Sequence, residues 1–168
     1  SSNPNFIDVN FQSNSARHGG AVYSKNSSPM FQNVTFSANT AVQGYGGALF
    51  FDRSLAELNN VNINGNQALT ANGKGAGLFS FKSPLHIINS EITGNNSIES
   101  GSRGGGLYIL DEDGNTNEYV LDSVLIAGNS AHDGGGIYLF NSDPMFYRVT
   151  FSDNSAPNVA GGGALYCK

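Results

Sequence analysis

Acidic and amide side chains crowd one short insertion, DEDGNTNE at residues 111–118. Oxygens at Asp111, Asp113 and Asn115, a flexible Gly114 and then Glu118 suit a hard, oxygen-seeking cation such as calcium. The full calcium-loop pattern is missing, and an acidic solvated turn accounts for the same residues. Other groups able to do chemistry are scattered. His18 and His132 sit in similar loops (ARHGG and AHDGG) far apart in the chain, His86 stands alone, and Cys167 is the only cysteine. A glycosidase needs two carboxylates within roughly 5–10 Å of each other, and no spacing here forces such a pair.

What must position these residues is a repeat. A glycine-led phrase ending in an aliphatic–aromatic pair begins at Gly19, Gly46, Gly75, Gly104, Gly134 and Gly162 (GGAVY, GGALF, GAGLF, GGGLY, GGGIY, GGALY). A second phrase, F-x-x-N or I-x-x-N, ends at Asn14, Asn39, Asn66, Asn95, Asn129 and Asn154. From the first glycine to the next of these asparagines is 20 residues in four coils, and 25 from Gly104 to Asn129, where the acidic insertion sits. Length otherwise varies only between the Asn and the next Gly, from four to eight residues. Periodic short strands without helical stretches predict a parallel β-solenoid of about six coils, three short strands per coil, rising about 29 Å at the spacing of paired strands. One strand follows the glycines. A second carries Phe31 and its equivalents Phe6, Leu58, Ile87, Leu121 and Phe146, and a third carries Val34 and Phe36. The constancy of the 20-residue span makes the glycines and asparagines corners rather than loop filler. Asn39 and its equivalents are expected to take left-handed geometry and to hydrogen-bond along the stack.

Alternation along the first strand assigns its faces. Val22, Leu49, Leu78, Leu107, Ile137 and Leu165 are expected to point inward. Tyr23, Phe50, Phe79, Tyr108, Tyr138 and Tyr166 then form an outward ladder of rings, the opposite assignment being that the rings fill the core. Cys167 falls on the inward face as a small core residue. On the second strand a column reads Asp8, Asn33, Asn60, Asn89, Ser123 and Arg148, an amide ladder with charged ends and not the acid cluster of a calcium-dependent lyase. Three N-x-[ST] sequons start at Asn26, Asn33 and Asn95. Asn26 and Asn95 read as turn residues and the better glycan acceptors.

The two ends are in phase. Joining Lys168 to Ser1 gives YCKSSNPNF, which matches the internal YSKNSSPMF in length and in its Lys and Pro positions, and again places 20 residues between Gly162 and Asn14. Residues 1–168 therefore read as a single solenoid domain, uncapped at both ends, with Ser1, Pro4, Phe6, Asp8, Arg148, Tyr166, Cys167 and Lys168 at an end-to-end junction. There Arg148 and Asp8 become neighbours. A slice of a longer solenoid, a protomer that stacks head-to-tail, and a segment cut at a coil boundary all produce this phase.

At GGAVY…FSAN, GGALF…INGN and GGALY the chain resembles the polymorphic membrane protein repeats of chlamydial surface proteins. It departs from their pattern at GAGLF, GGGLY and GGGIY and at Ile63, Ile92 and Ile126. More loosely it resembles the pectin-lyase-like β-helices. The resemblance implies a right-handed parallel β-helix, extracellular exposure, adhesion and no enzymatic activity, and it supplies no catalytic residue.

Composition narrows the function further. Gly is 22 of 168 residues, charged residues are 12%, and the net charge is −5. Without a cluster of Lys and Arg, nucleic acid is excluded as a partner. No apolar run is long enough for a transmembrane helix. Ser1 opens on a polar turn, so a secretion signal, if there is one, lies outside this segment. The expected function is a non-enzymatic repeat unit of an extracellular fibre or surface protein, whose partners are copies of itself or further coils. The alternative is an adhesin or carbohydrate-binding module that stacks its ring ladder on sugars. Calcium is the one cofactor the residues suggest.

Overall fold

The computed structural model describes residues 2–97, 99–112, 118–157 and 161–168. Its strands fall into three sheets that wrap one column, and every strand pairing among the described residues is parallel. The front sheet stacks Val22–Lys25, Leu49–Asp52, Leu78–Phe81, Leu107–Leu110, Ile137–Phe140 and Leu165–Cys167, one from each coil. The register follows the sequence phrase, with Leu49, Leu78, Leu107 and Ile137 in one column. The fold is a parallel β-solenoid of about six turns.

The second and third strands expected from the sequence belong to one long sheet. Met30–Ser37 and Ala56–Asn64 cross it unbroken, while other coils divide, as in Leu85–Ile88 with Glu91–Thr93. A bend runs through this sheet at Asp8, Asn33, Asn60, Asn89, Ser123 and Arg148, all with φ between 49° and 58°. A left-handed residue resets the alternation, so Phe31 and Val34 both face the core although three positions apart. A short third sheet (Ser15–His18, Thr40–Tyr45, Gln67–Ala68, Asn96–Ser97, Ser130–Ala131) lies between the asparagines and the glycines, where the sequence suggested only loop.

Two corners hold the coils in register. The left-handed residue before the third sheet is not the asparagine but its predecessor: Ser13, Ala38, Gly65, Gly94, Gly128 or Asp153. This places each Asn side chain inside the column. Asn39, Asn66, Asn95 and Asn129 are fully buried. Each Oδ1 accepts the backbone N–H and the Nδ2–H of the Asn one coil earlier, as in Asn66 to Asn95 at 3.0 and 2.8 Å. Each Nδ2 also donates to a backbone carbonyl, as Asn95 does to Ile63 at 2.9 Å. At the opposite corner the first glycine of each phrase turns the chain into the front sheet. Gly104 has φ 66°, and a Cβ there would lie 2.3 Å from the Leu107 carbonyl oxygen.

The core fills the column with Leu49, Leu78, Leu107, Ile137, Phe31, Phe36, Leu58, Ile63, Ile87, Ile92, Leu121 and Ile126. The inward assignment of the aliphatic column therefore holds. Cys167 shares the inward column with Leu139 but is exposed, since among the described residues no strand pairs with the far side of Leu165–Cys167.

Candidate functional site

The outer face of the front sheet carries the ring column, and alternation does set it apart from the core. Its rings form a second cluster in which Phe50 stacks on Phe79, Tyr108 on Tyr138 and Tyr138 on Tyr166 at 4.8–4.9 Å. The ladder is not exposed, which corrects the sequence expectation. Phe50 is 9% exposed, Phe79 3%, and Tyr108 and Tyr138 2% each, while Tyr166 is half-buried and Tyr23, at 50%, is open. The cover comes from the residue just before each first glycine. Tyr45, Lys74, Arg103 and Asp133 bridge one another in parallel, and the first three lie against the rings. Lys74 Nζ stands 5.1 Å from the Tyr45 ring, 5.9 Å from Phe79 and 5.6 Å from Tyr108, and the Arg103 guanidinium is 5.4 Å from Tyr138. Phe81 and Phe140 pack on the cluster as well. Four of the six rings thus have no open face on which a sugar could stack.

This cover shifts the acidity of the groups beneath it. Burial pushes the Tyr108 phenol up to about 12, reinforced by neighbouring Tyr138 and opposed by the Arg103 charge. Burial, and then Arg103, lowers Lys74. Tyr108 is held neutral by the fold, so its contribution is full below the unfolded value of 10.0 and is lost as pH rises toward 12. The chain is therefore expected to lose more stability between those limits than its Tyr108→Phe variant, read as the difference in denaturant midpoints. Equal losses would contradict a buried phenol.

The acidic insertion is only partly described. Asp113 and Asn115 lie outside the described residues. Asp111 is buried and its Oδ2 accepts from the Tyr119 hydroxyl at 3.1 Å. Glu118 is exposed, with its carboxylate 3.9 Å from His86 Nε2. These two carboxylates face different partners. Among the described residues no group of three or more His, Cys, Asp or Glu side chains is placed to hold a metal ion. His18 stacks on Tyr45, and His132 faces Asp133.

Of the sequons, Asn26 is exposed at a left-handed turn. Asn33 is exposed in the outer ladder, donating to Asp8 and accepting from Asn60 at 2.9 and 2.8 Å. Asn95 is fully buried in the inner ladder, which corrects its assignment to an accessible turn. Within the chain Arg148 pairs with Asp122, one coil below, and donates to Ser123 Oγ at 3.0 Å. Asp52 gathers Lys25, Arg53 and the Tyr23 hydroxyl at 2.7–3.4 Å.

Stacked parallel strands, an internal amide ladder and glycine corners agree with the comparison to known families. A family model described as "right handed beta helix region" matches residues 1–167. The chain belongs to the right-handed β-helix family. No curated protein and no solved structure matches it. No helix of the described β-helix is long and apolar enough to cross a membrane.

Sequence reasoning missed the column that covers the rings. It reads His18, Tyr45, Lys74, Arg103 and Asp133, which share no chemical type. Only their constant position before the glycine could have shown them.

Proposed function

We propose that this β-helix is a non-catalytic structural segment of an extracellular fibre or surface protein, in which coils continue end to end beyond the column. One observation carries the reading: the core is closed on its sides and open at its ends. The apolar residues that pack on the core yet stay only half-buried are Phe6, Val9, Phe11, Ala21 and Val22 in the first coil, and Phe146, Val149, Phe151 and Leu165 in the last. Among the described residues, the middle coils contain none of them. Apolar cross-sections framed by open sheet edges favour association with more β-structure. The in-phase junction sequence supports the same reading. Its extracellular setting rests on the resemblance of the paired GGA[ILV] and FxxN phrases to surface-protein repeats.

A non-catalytic role is supported by how the carboxylates are used. Asp52, Asp111, Glu112 and Asp122 each face a structural partner one coil or one corner away. The sugar-binding alternative required exposed rings and is not retained.

A tandem of two copies joined directly from Lys168 to Ser1 tests the reading. In a solenoid, stability is the sum of repeat terms and nearest-neighbour interfaces. The tandem should unfold in one transition at a higher denaturant midpoint than the single copy. Two copies that unfold independently at the single-copy midpoint would contradict it.

A further inference from the structure

The amide ladder has a direction. From Asn39 to Asn154, each Asn Oδ1 accepts from the Asn one coil earlier, beginning with Asn14 to Asn39. At the first coil Asn14 donates to Asn39, and no described residue donates to its own Oδ1. At the last coil Asn154 accepts from Asn129 and gives one Nδ2 hydrogen to the Ile126 carbonyl. Its backbone N–H and second Nδ2 hydrogen meet no acceptor among the described residues. One end therefore presents an acceptor and the other two donors.

We propose that the partner at the open ends is a second copy of this chain, stacked head-to-tail with Asn154 of one copy donating to Asn14 of the next. The inference rests on the end-to-end reading above and adds its polarity and register. Two copies meeting by like ends would bring acceptor to acceptor or donors to donors, each buried and unpaired, a cost of about 1–3 kcal/mol per group.

The other columns agree with this register. Phe6 and Phe11 meet edge-to-face at 5.5 Å and 77°, and each stacks on the next coil, on Phe31 and Phe36, at 5.0 and 4.9 Å. Phe146 and Phe151 present the same edge-to-face pair, 6.0 Å and 75°, at the opposite end. Phe31 and Phe36 cover the downstream side of the Phe6–Phe11 pair, and the last coil presents the same side of the Phe146–Phe151 pair to Phe6 and Phe11 of the next copy. Outside the core, exposed Ile7 and Tyr147 occupy one column, as do Asp8 and Arg148. Head-to-tail stacking brings both pairs into contact, apolar on apolar and acid on base. Lys25 and Lys168 also become neighbours, but both are exposed and screened by salt.

The front-sheet register supplies the test. Ser24 and Cys167 stand at opposite ends of one column. Neighbouring strands put their Cα atoms about 5 Å apart, within the range a disulfide spans. A Ser24→Cys variant of the full chain, concentrated and treated with a mild oxidant, should form chains linked through position 24 of one copy and Cys167 of the next. Peptide mapping of the cross-linked bands reads the linkage. The mixed 24–167 peptide is expected as the main product, and Phe6→Asp in the same variant should abolish it. Lys25→Cys with Lys168→Cys, in a Cys167→Ser background, repeats the test one column away if Ser24→Cys disturbs folding. Products dominated by 24–24 or 167–167 peptides would overturn the head-to-tail proposal while leaving end association intact. No cross-link, with the protein monomeric in sedimentation, would overturn this proposal, while the unfolding of the joined tandem decides the end-to-end reading separately.

Discussion

Asn95→Ala should lower the unfolding free energy by about 3–5 kcal/mol, a large part of the stability of a domain this size. The substitution removes the Oδ1 that accepts both the N–H and the Nδ2–H of Asn66. It also removes the Nδ2 that donates to the Ile63 carbonyl and to Asn129 Oδ1. All of these groups lie where water does not reach, so the neighbours keep their desolvation cost and lose their partners. Because the ladder is continuous, weakening propagates to both adjacent coils. Asn62→Ala is the control: its Oδ1 accepts from Asn64 at the partly exposed surface, and its loss should cost under about 1 kcal/mol. Denaturant midpoints measured on both variants check the contrast. Similar small losses would mean that the inner ladder does not hold the coils together.

Gly104→Ala should be as damaging, at about 4 kcal/mol or loss of folding, for a reason that is steric rather than polar. An L-residue at φ 66° carries the left-handed cost of roughly 1–2 kcal/mol. Its Cβ would also sit 2.3 Å from the Leu107 carbonyl oxygen. That strand cannot move aside, because Leu107 is paired with Leu78 below and Ile137 above. Gly65→Ala separates the two effects. Gly65 has a similar φ of 62°, but nothing lies within 4 Å of a Cβ there, and Ala38 already occupies the equivalent corner at φ 53°. Its cost should be about 1 kcal/mol. If Gly104→Ala is no worse than Gly65→Ala in thermal or chemical unfolding, the first-glycine corner is not the constraint described here.

These residues also show what could be read without coordinates. The constant span from glycine to asparagine is set by strands that must stay in register through the whole stack, so the solenoid and its aliphatic column were legible. The direction of the ring column was legible too, since alternation along a strand is local. Its burial was not. Cover depends on Tyr45, Lys74 and Arg103, which come from segments of variable length and share only a place in the chain. The short third sheet was hidden for the same reason: Gln67–Ala68 or Asn96–Ser97 is too brief to show a period. Asn95 was misjudged because its left-handed neighbour Gly94, not Asn95 itself, makes the turn and swings the amide inward. In the acidic insertion, Asp111 and Glu118 are separated by their partners Tyr119 and His86, a pairing between neighbouring elements that spacing does not reveal.

The proposed assembly requires a column that is closed on its sides and adhesive at its ends. Small-angle X-ray scattering of the unmodified chain across a concentration series tests it most directly, because cross-section and length are separate readouts. End-to-end stacking predicts a constant cross-sectional radius while the maximum dimension grows in steps of one column length. A maximum dimension that stays at the single-column value at the highest concentration, or a cross-section that thickens with it, would contradict the claim.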